Sequence, residues 1–440
     1  MNAATAIDRI AASHARLAPR LAGGPEWARR RGRALETLVG RGLPGRRDEN
    51  WKYLDHARLA GYDFGVGSRT AVDPAALARA RLPLAGARRL VILDGRFEEA
   101  LCGGEPLDGV THDDIDALLG REPAAALDLL RLPADDADDR FAVMADAFTD
   151  GGVVIRIAAG SAPPRPLHLL HVTSAVRPAA HHARLVIEVG AGAKLVLVEE
   201  FLSLGDAPVF ANLAAELAVG ASADVEHLRL HRQNAAAAQV ETWVARLDAA
   251  GSYRQHLVVL GGRLIRSNFR LALDGEAAAC RLAGLFMADG ERQVDIHTQV
   301  EHCAPRTRTE QDFRGIATGR GRGAMNGRIV MRPAARGADA SQTIRNLLLS
   351  PLAEINARPQ LEIHVDDVRC RHGATTGTLD PVQLFYLRSR GLDEATARSL
   401  LTFAFCQDVL AGMPLPAVRD FVATQVADIL PDVELMREQA

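Results

Sequence analysis

The chain has 440 residues, 48% of them hydrophobic and 24% charged, so it has ample material for a packed core and global disorder is excluded. Its 52 lysines and arginines nearly balance its 55 aspartates and glutamates, which removes the basic excess expected of a nucleic-acid-binding protein. Aromatic residues make up only 5% of the chain, so we expect a core built mainly from Val, Leu, Ile and Ala.

The sequence also argues against a membrane protein and a secreted one. No stretch approaches the roughly 18 to 20 uninterrupted apolar residues of a membrane-spanning helix. Asp8 and Arg9 fall where a signal peptide would be apolar, so we expect a cytoplasmic protein. The cysteines are odd in number and widely scattered, which fits neither a disulfide framework nor a zinc ribbon. They are Cys102, Cys280, Cys303, Cys370 and Cys406.

Residues 1–145 are predicted to form a helical and mixed region. Ile7 begins an amphipathic pattern, and a second helix is predicted from Pro25 to Gly40, because proline suits a first helical turn and glycine a helix end. The segment LVILDG (90–95) predicts a strand and a turn, and the acidic segment 135–139 predicts a solvated loop.

The middle of the chain, residues 146–377, repeats a strand–turn–strand pattern. Each repeat places a glycine between two β-favouring runs, and these glycines are 30, 31 and 24 residues apart. The repeats are IEVGAGAKLVLVEE (187–200), LAVGASADVEHLRL (217–230), RLDAAGSYRQHLVV (246–259) and LALDGEAAACRLAGL (271–285), with glycines at Gly190, Gly220, Gly251 and Gly275. Recurrence at this spacing favours a stacked β-solenoid, in which small corner residues let the chain turn.

Alternation within a repeat supports the strands. Leu228 and Leu230 share one face of a predicted strand, and His227, Arg229 and His231 share the other. An antiparallel sandwich or barrel stays open as the alternative at this point, although such folds usually have turns about every 8 to 12 residues.

Residues 378–440 are predicted to be helical again. Asp380 fits an N-cap and Pro381 a first turn, and further helices are predicted over 393–411 and 415–430. We expect these helices to cap the open edge strands at the end of the solenoid.

The stretch LEIHVDDVRCRHGATTG (361–377) holds the main candidates for chemistry. On a strand, Val368, Cys370 and His372 point to the same side, and the Cα atoms of alternate residues are roughly 7 Å apart. A thiolate and an imidazole so placed could bind one iron or zinc ion, or the imidazole could lower the pKa of the thiol. The alternative is an inert core cysteine and a locally hydrogen-bonded histidine.

Two other groups of residues are weaker candidates for a functional site. His302 and Cys303 are adjacent and would point to opposite faces of a strand, so with His297 they are predicted to be structural or interface residues. The glycine-rich segment 319–328 lacks the Gly-Lys-Ser/Thr ending of a phosphate-binding loop, so it gives the chain no nucleotide-binding signature.

Five segments carry a family resemblance. They are RRDENWKYLD (46–55), NGRIVMRP (326–333), QTIRNLLLSPLAEINARPQLEI (342–363), DDVRCRHGATTGTLD (366–380) and LFYLRSRGLDEATARSLLTFAF (384–405). In this order and spacing they resemble the SufB/SufD family of iron–sulfur (Fe–S) cluster assembly scaffolds, and its D-type members in particular. The resemblance is strong over about residues 290–410 and diffuse elsewhere.

The resemblance implies a mainly β protein, with a right-handed parallel β-helix core between helical N- and C-terminal regions. It also implies a non-enzymatic scaffold of the SUF machinery that pairs with the sister scaffold SufB and the ATPase SufC, commonly one SufB and two SufC. SufB is expected at the β-helix edge near the C-terminal part of the core, and SufC at the helices of residues 380–430. Nascent clusters would form at the interface of the two scaffolds and pass to apo-proteins.

The family motif further implies that Cys370 and His372 are interface residues that handle iron or a cluster transiently. SufB carries a Glu-His-Glu-Ala-type motif at this position. Because an Fe–S cluster usually takes four ligands, SufB would have to supply the rest, and no stably bound cofactor is expected on the isolated chain. A homodimer through the same edge stays open as an alternative for the chain alone.

One other function stays open, a homodimeric β-helix protein of the carbohydrate-active or carbohydrate-binding type, since β-helices host such enzymes and fold alone does not separate the two. A carbohydrate-active or carbohydrate-binding protein would need a groove lined by aromatic residues, and the low aromatic content of the chain counts against this function.

Overall fold

The structure is a computed structural model that describes residues 3–21, 23–62, 64–65, 67, 70–130, 139–149 and 151–430. Most of the acidic segment predicted to be a loop, and the last ten residues of the chain, lie outside the described residues. The strands are β1 (Arg88–Leu93), β2 (Arg96–Phe97), β3 (Val110–Asp114), β4 (Gly152–Ile157), β5 (Leu167–Thr173), β6 (Ala179–Val189), β7 (Lys194–Ser203), β8 (Val209–Val219), β9 (Asp224–Arg232), β10 (Ala238–Leu247), β11 (Ser252–Val259), β12 (Leu264–Leu273), β13 (Ala279–Ala288), β14 (Gln293–His302), β15 (Arg308–Ala317), β16 (Arg322–Met331), β17 (Ala338–Leu348), β18 (Glu354–Ile363) and β19 (Val368–Gly377).

From β4 onward, each strand pairs in parallel with the strand two further along the chain, which is the pairing of a parallel β-helix. Among the described residues, sheet A has nine strands in the order β18-β16-β14-β12-β10-β8-β6-β4-β3. Sheet B has ten, in the order β19-β17-β15-β13-β11-β9-β7-β5-β1-β2. The predicted solenoid is confirmed, and the antiparallel alternative is wrong for this core.

The glycine corners show why the repeats carry small residues. A Cβ added to Gly190 would lie 2.5 Å from the backbone nitrogen of Ala159, and one added to Gly220 would lie 2.8 Å from that of Ala191. Each corner therefore stacks directly on the corner of the neighbouring rung, and a side chain there would force the rungs apart.

The N-terminal helices are α1 (Ala3–Leu17), α2 (Gly24–Arg41), α3 (His56–Leu59), α4 (Pro74–Ala80), α5 (Ile115–Arg121), α6 (Pro123–Leu129) and α7 (Arg140–Phe148). Helix α4 packs on sheet B through Leu77, and the others lie in apolar clusters with residues of the outer face of sheet A. Phe141 and Phe148 of α7 pack in one apolar cluster with Phe210 and Val240 of sheet A. The strand and turn predicted at 90–95 form β1 and the turn into β2. The proposed division of the chain at 145 and 378 stays a prediction.

The C-terminal helices are α8 (Pro381–Ser389), α9 (Glu394–Leu410) and α10 (Pro416–Ile429), close to their predicted positions. They do not cap the edge strands as predicted. Instead, Phe403 of α9 and Val422 of α10 pack on Leu230 and Leu285, which point outward from sheet B. The physical reason is that the outer face of sheet B is apolar and the last rung is polar, so the helices bury more apolar surface on the sheet than they would on the last rung. No helix among the described residues is long and apolar enough to cross a membrane.

The alternation predicted for β9 is confirmed, and its polar face is the inner one. Arg229 is 1% exposed and its guanidinium binds Glu199 at 2.9 Å and Glu241 at 2.6 Å. The ring of His227 contacts Trp243 of the apolar interior. Charged residues therefore enter the β-helix as a paired network, which satisfies the rule that a buried charge needs a partner.

Candidate interface site at the end of the β-helix

Strands β18 and β19 end the two sheets, and each has one edge without a partner strand among the described residues. Most residues of β19 are exposed, and most of β18 are half-buried. A free strand edge presents unpaired N–H and C=O groups, which form a template for a strand of another chain. The last rung therefore has the geometry of an interface.

Cys370 and His372 occupy inward-facing positions of this last rung. The β17–β19 register sets Cys370 beside Ala340 and His372 beside Gln342, and Gln342 is 1% exposed inside the β-helix. Because no further rung is stacked on β19, His372 is exposed and Cys370 is half-buried. The two residues share one side of the strand, as the alternation predicts, and that side looks out of the open end.

The surroundings of Cys370 keep its thiol protonated. Burial, and after it the Asp339 carboxylate, raise the pKa of Cys370 above its ordinary value. A thiol in this state is a weak nucleophile and a poor ligand until a metal ion or a new cationic neighbour displaces its proton. The site is therefore unactivated in the chain by itself.

Two arginines flank Cys370 on the other face of β19. Arg369 and Arg371 form no ion pair or side-chain hydrogen bond with any residue that the structure describes. Arg371 lines a surface groove that also contains Arg308 and Asp339. The Arg-Cys-Arg-His alternation in the sequence is a sufficient signal for this pair, but the arginines were not among the predicted site residues. Strand β19 thus presents a thiol and an imidazole on one face and two unpaired guanidinium groups on the other.

A second exposed surface lies on α8, directly after β19. Val382 and Phe385 are each 73% exposed and Tyr386 is 56% exposed, and α8 has no buried residue. The Asp380 carboxylate caps the helix by accepting from the Val382 N–H at 2.8 Å. The sequence predicted the helix and its cap but not the exposure, because an apolar stripe is ordinarily buried in its own chain.

The second group singled out in the sequence is not brought together. His302 lies inside, where Thr307 and Thr309 hydroxyls bind its ring at 2.7 and 2.8 Å and burial lowers its pKa to about 4. His297 is on the outer face of sheet A, 3.0 Å from Asp295. Cys303 is half-buried, and burial raises its pKa to about 11. Within the described part of the chain, no group of three or more His, Cys, Asp or Glu side chains could hold a metal ion.

The chain matches the family model for the SufBD core domain of SUF system FeS cluster assembly over residues 171–405. It is 30% identical over 400 residues to the iron-sulfur cluster assembly protein SufD of Escherichia coli (strain K12), which covers 90% of this chain and 92% of that protein. It is 29% identical to the SufBD family protein slr0076 of Synechocystis, over 88% of this chain and 87% of that one. Protein ABCI7 of Arabidopsis thaliana chloroplasts is 29% identical over 63% of this chain and 60% of its own length.

The matched region contains the last rungs of the β-helix, the residues Cys370 and His372, and helix α8. The expectation drawn from the sequence motifs is confirmed by these matches, which extend well beyond the motifs themselves. The chain therefore belongs to the SufB/SufD family of iron–sulfur cluster assembly proteins, and it is SufD-like.

Proposed function

We propose that this chain is a non-enzymatic scaffold subunit of the SUF machinery, in which it pairs with SufB and with the ATPase SufC. Nascent clusters are built where its last rung meets SufB and are then passed to apo-proteins. The observation that carries this proposal is the open last rung, which presents Cys370 and His372 beside two free strand edges.

The charge of β19 supports a partner different from the chain itself. In a two-fold antiparallel pairing of β19 with its own copy, residues of equal parity lie on the same face, so four unpaired arginines would share one face. The sister motif in SufB offers two glutamates, which are the complement of Arg369 and Arg371. Opposite charges across the new strand pair favour the heteromeric interface, and like charges disfavour the homodimer.

The ligand set supports shared handling of iron. Cys370 and His372 offer one sulfur and one nitrogen, which are both ligands that iron accepts. SufB supplies the remaining ligands in this proposal, so iron or a cluster is held transiently at the interface. Metal binding by Cys370 requires loss of its proton, and the raised pKa of its thiol opposes this in the isolated chain.

Helix α8 is our proposed docking surface for SufC, as part of the helices of residues 380–430. Its exposed Val382, Phe385 and Tyr386 make an apolar stripe at the spacing of a groove-binding helix. ATP hydrolysis belongs to SufC. We place the complex in the cytoplasm, where thiols stay reduced, because each of the five cysteines is free.

Co-expression with SufB and SufC, followed by native mass spectrometry, tests the proposal. The expected particle contains one copy of this chain, one SufB and two SufC. Recovery of this chain only as a homodimer, with neither partner bound when both are present, would refute it.

A further inference from the structure

A buried glutamine lies beside His372 in the stack and has an unused acceptor. Gln342 of β17 is the register partner of His372 on β19, and it is 1% exposed. Its Nε2 group donates to Gln311 Oε1 of β15 at 3.1 Å, whereas its Oε1 atom has no hydrogen-bond partner among the described residues. A buried acceptor left unpaired costs free energy, so this oxygen calls for a donor.

The strand order of sheet B decides where that donor can come from. The sheet runs β19-β17-β15, so Gln311 and His372 lie on opposite sides of Gln342. An amide carries its two N–H donors and its acceptor oxygen on different sides of the terminal carbon. With the nitrogen bound to Gln311 on one side, the oxygen is left for a donor on the other side, where the last rung lies.

Neighbouring residues hold the Gln342 amide in this position. Gln311 is also 1% exposed, and its Oε1 accepts from the Thr298 hydroxyl at 2.8 Å as well as from Gln342. Gly327 of β16 provides the space, because a Cβ added there would overlap the Gln342 Nε2 group. The amide is therefore fixed within the chain itself, and a donor that meets it has no reorganisation to bring about.

The imidazole of His372 lacks a partner that would fix its orientation. It is exposed and forms no hydrogen bond or ion pair with any residue that the structure describes. Paired strands are roughly 4.8 Å apart, so the side chains of register neighbours on one face are within reach of each other. A histidine that binds a metal ion through one ring nitrogen ordinarily donates the N–H of the other to an oxygen, which sets its tautomer and ring orientation.

We propose that Gln342 is a positioning residue for His372: its Oε1 accepts one ring N–H and leaves the other ring nitrogen free to bind iron at the interface with SufB. The role of that nitrogen rests on the proposed function, but the hydrogen bond itself belongs to the isolated chain. Gln342 contacts neither iron nor SufB and acts only through the imidazole. An imidazole that donates to Gln342 holds one tautomer, whereas a free imidazole exchanges between two.

Nitrogen-15 NMR of the histidine rings of the full chain, at about pH 8.5 where histidine side chains are ordinarily neutral, tests this pairing. The signals of His372 are those lost in His372→Ala. We expect its tautomer ratio to differ about fivefold or more from that of histidine in a short unfolded peptide. Gln342→Met keeps the volume but removes the acceptor, so it should return the ratio to the peptide value. Unchanged signals of the buried His182 show that a variant is folded.

A second variant and a control complete the test. Gly327→Ala displaces the amide without removing it and should change the His372 tautomer ratio as Gln342→Met does. The matched control is Asn346→Leu, which removes another buried amide of β17, one that donates to Thr376 at 3.2 Å. It should leave the ratio as it is in the unmodified chain. A ratio that neither Gln342→Met nor Gly327→Ala changes would overturn the inference.

Reconstitution of the complex with SufB and SufC separates this inference from the proposed function. A complex that carries Gln342→Met should bind iron about tenfold or more weakly, since loss of a residue that orients a metal-binding histidine has an effect of this size. Unweakened iron binding, in a variant whose tautomer ratio has changed, would show that the imidazole needs no positioning. A changed ratio together with normal cluster retention by His372→Ala would instead refute the proposed function and leave the hydrogen bond in place.

Discussion

The position of a residue along the stack decides what its side chain can do. Cys280 and Cys370 belong to the same inward-facing column of sheet B, which runs Cys280, Thr309, Ala340 and Cys370. Cys280 is 5% exposed and burial raises its pKa to about 12, so it is an inert core thiol. Cys370 has the same orientation at the open end and is half-buried. The end of the stack, and not the local sequence, separates the buried core thiol of Cys280 from the half-buried thiol of Cys370 at the open end.

Replacing His372 tests the role of the imidazole. His372→Ala should leave the fold and the complex with SufB and SufC intact, because the side chain is exposed, and should strongly reduce Fe–S enzyme activity in a host that depends on this pathway. The matched control is His364→Ala, an exposed histidine at the same end that pairs with Glu362 at 2.7 Å. Normal cluster output from His372→Ala would reduce His372 to a surface residue.

The buried ionisable groups make the stability of the chain dependent on pH. Burial would raise the pKa of Glu199, but Arg229 and His171 outweigh it and hold that pKa well below its ordinary value. Burial lowers the pKa values of His182 and His302 to about 4, against an ordinary value of 6.5. A group with a lowered pKa binds more protons when the chain is unfolded, so its contribution to stability is lost as the pH falls.

We therefore expect the free energy of unfolding to fall between pH 6.5 and pH 4, by on the order of 3 kcal/mol for His302. Urea unfolding across this range measures the slope. His302→Gln keeps a polar group near Thr307 and Thr309 and should flatten the slope. His364→Gln, at an exposed site, should leave it unchanged. An identical slope in all three proteins would show that His302 does not titrate on unfolding.

At the scale of the element, β19 combines a free edge with two unpaired arginines, which in our proposal select SufB as the neighbouring chain. The double change Arg369→Glu and Arg371→Glu should weaken binding to SufB at least tenfold, because it places like charges across the proposed strand pair. Surface plasmon resonance at two salt concentrations measures the affinity and its screening. The control Arg246→Glu reverses an exposed charge on β10. Equal SufB affinity of the double variant and the control would exclude the arginines from the interface.

Helix α8 can be tested without disturbing the core, since it has no buried residue. Phe385→Asp should abolish the capture of SufC and leave the melting temperature within about 2 °C, because a surface change away from packed contacts costs little. Val39→Asp is the matched control, because Val39 is an exposed apolar residue of α2. Capture of SufC by Phe385→Asp at the level of the control would place the docking surface elsewhere. Point changes suit this test better than truncation, which would strip the cover from sheet B.

Much of the element pattern could be predicted from the sequence, because it depends on local chemistry. The corner glycines indicate the turns, and Asp380 and Asp393 cap α8 and α9 with their carboxylates. The inward placement of Arg229 could not be predicted, because its partner Glu199 is 30 residues away and only the rung register brings the two together. The path of α9 and α10 depends likewise on which sheet face is apolar after folding.

At the scale of the whole molecule, the stacked rungs of the β-helix hold the last rung, β18 and β19, in a fixed position. Each rung buries its inner side chains against the next, so the last rung leaves its inner column open, and Cys370 and His372 lie there. The sequence predicted that these two residues share a face. Their exposure is a property of the whole stack, since it depends on where the rungs stop and on the C-terminal helices leaving that end uncovered.

Anaerobic reconstitution with iron and sulfide, on the isolated chain and on its complex with SufB and SufC, tests the central claim most directly. Two ligand atoms in this chain cannot saturate a cluster, so the account predicts iron and acid-labile sulfide retained after desalting by the complex only, and lost from a complex that carries His372→Ala. A stoichiometric cluster that survives desalting on the isolated chain would contradict it.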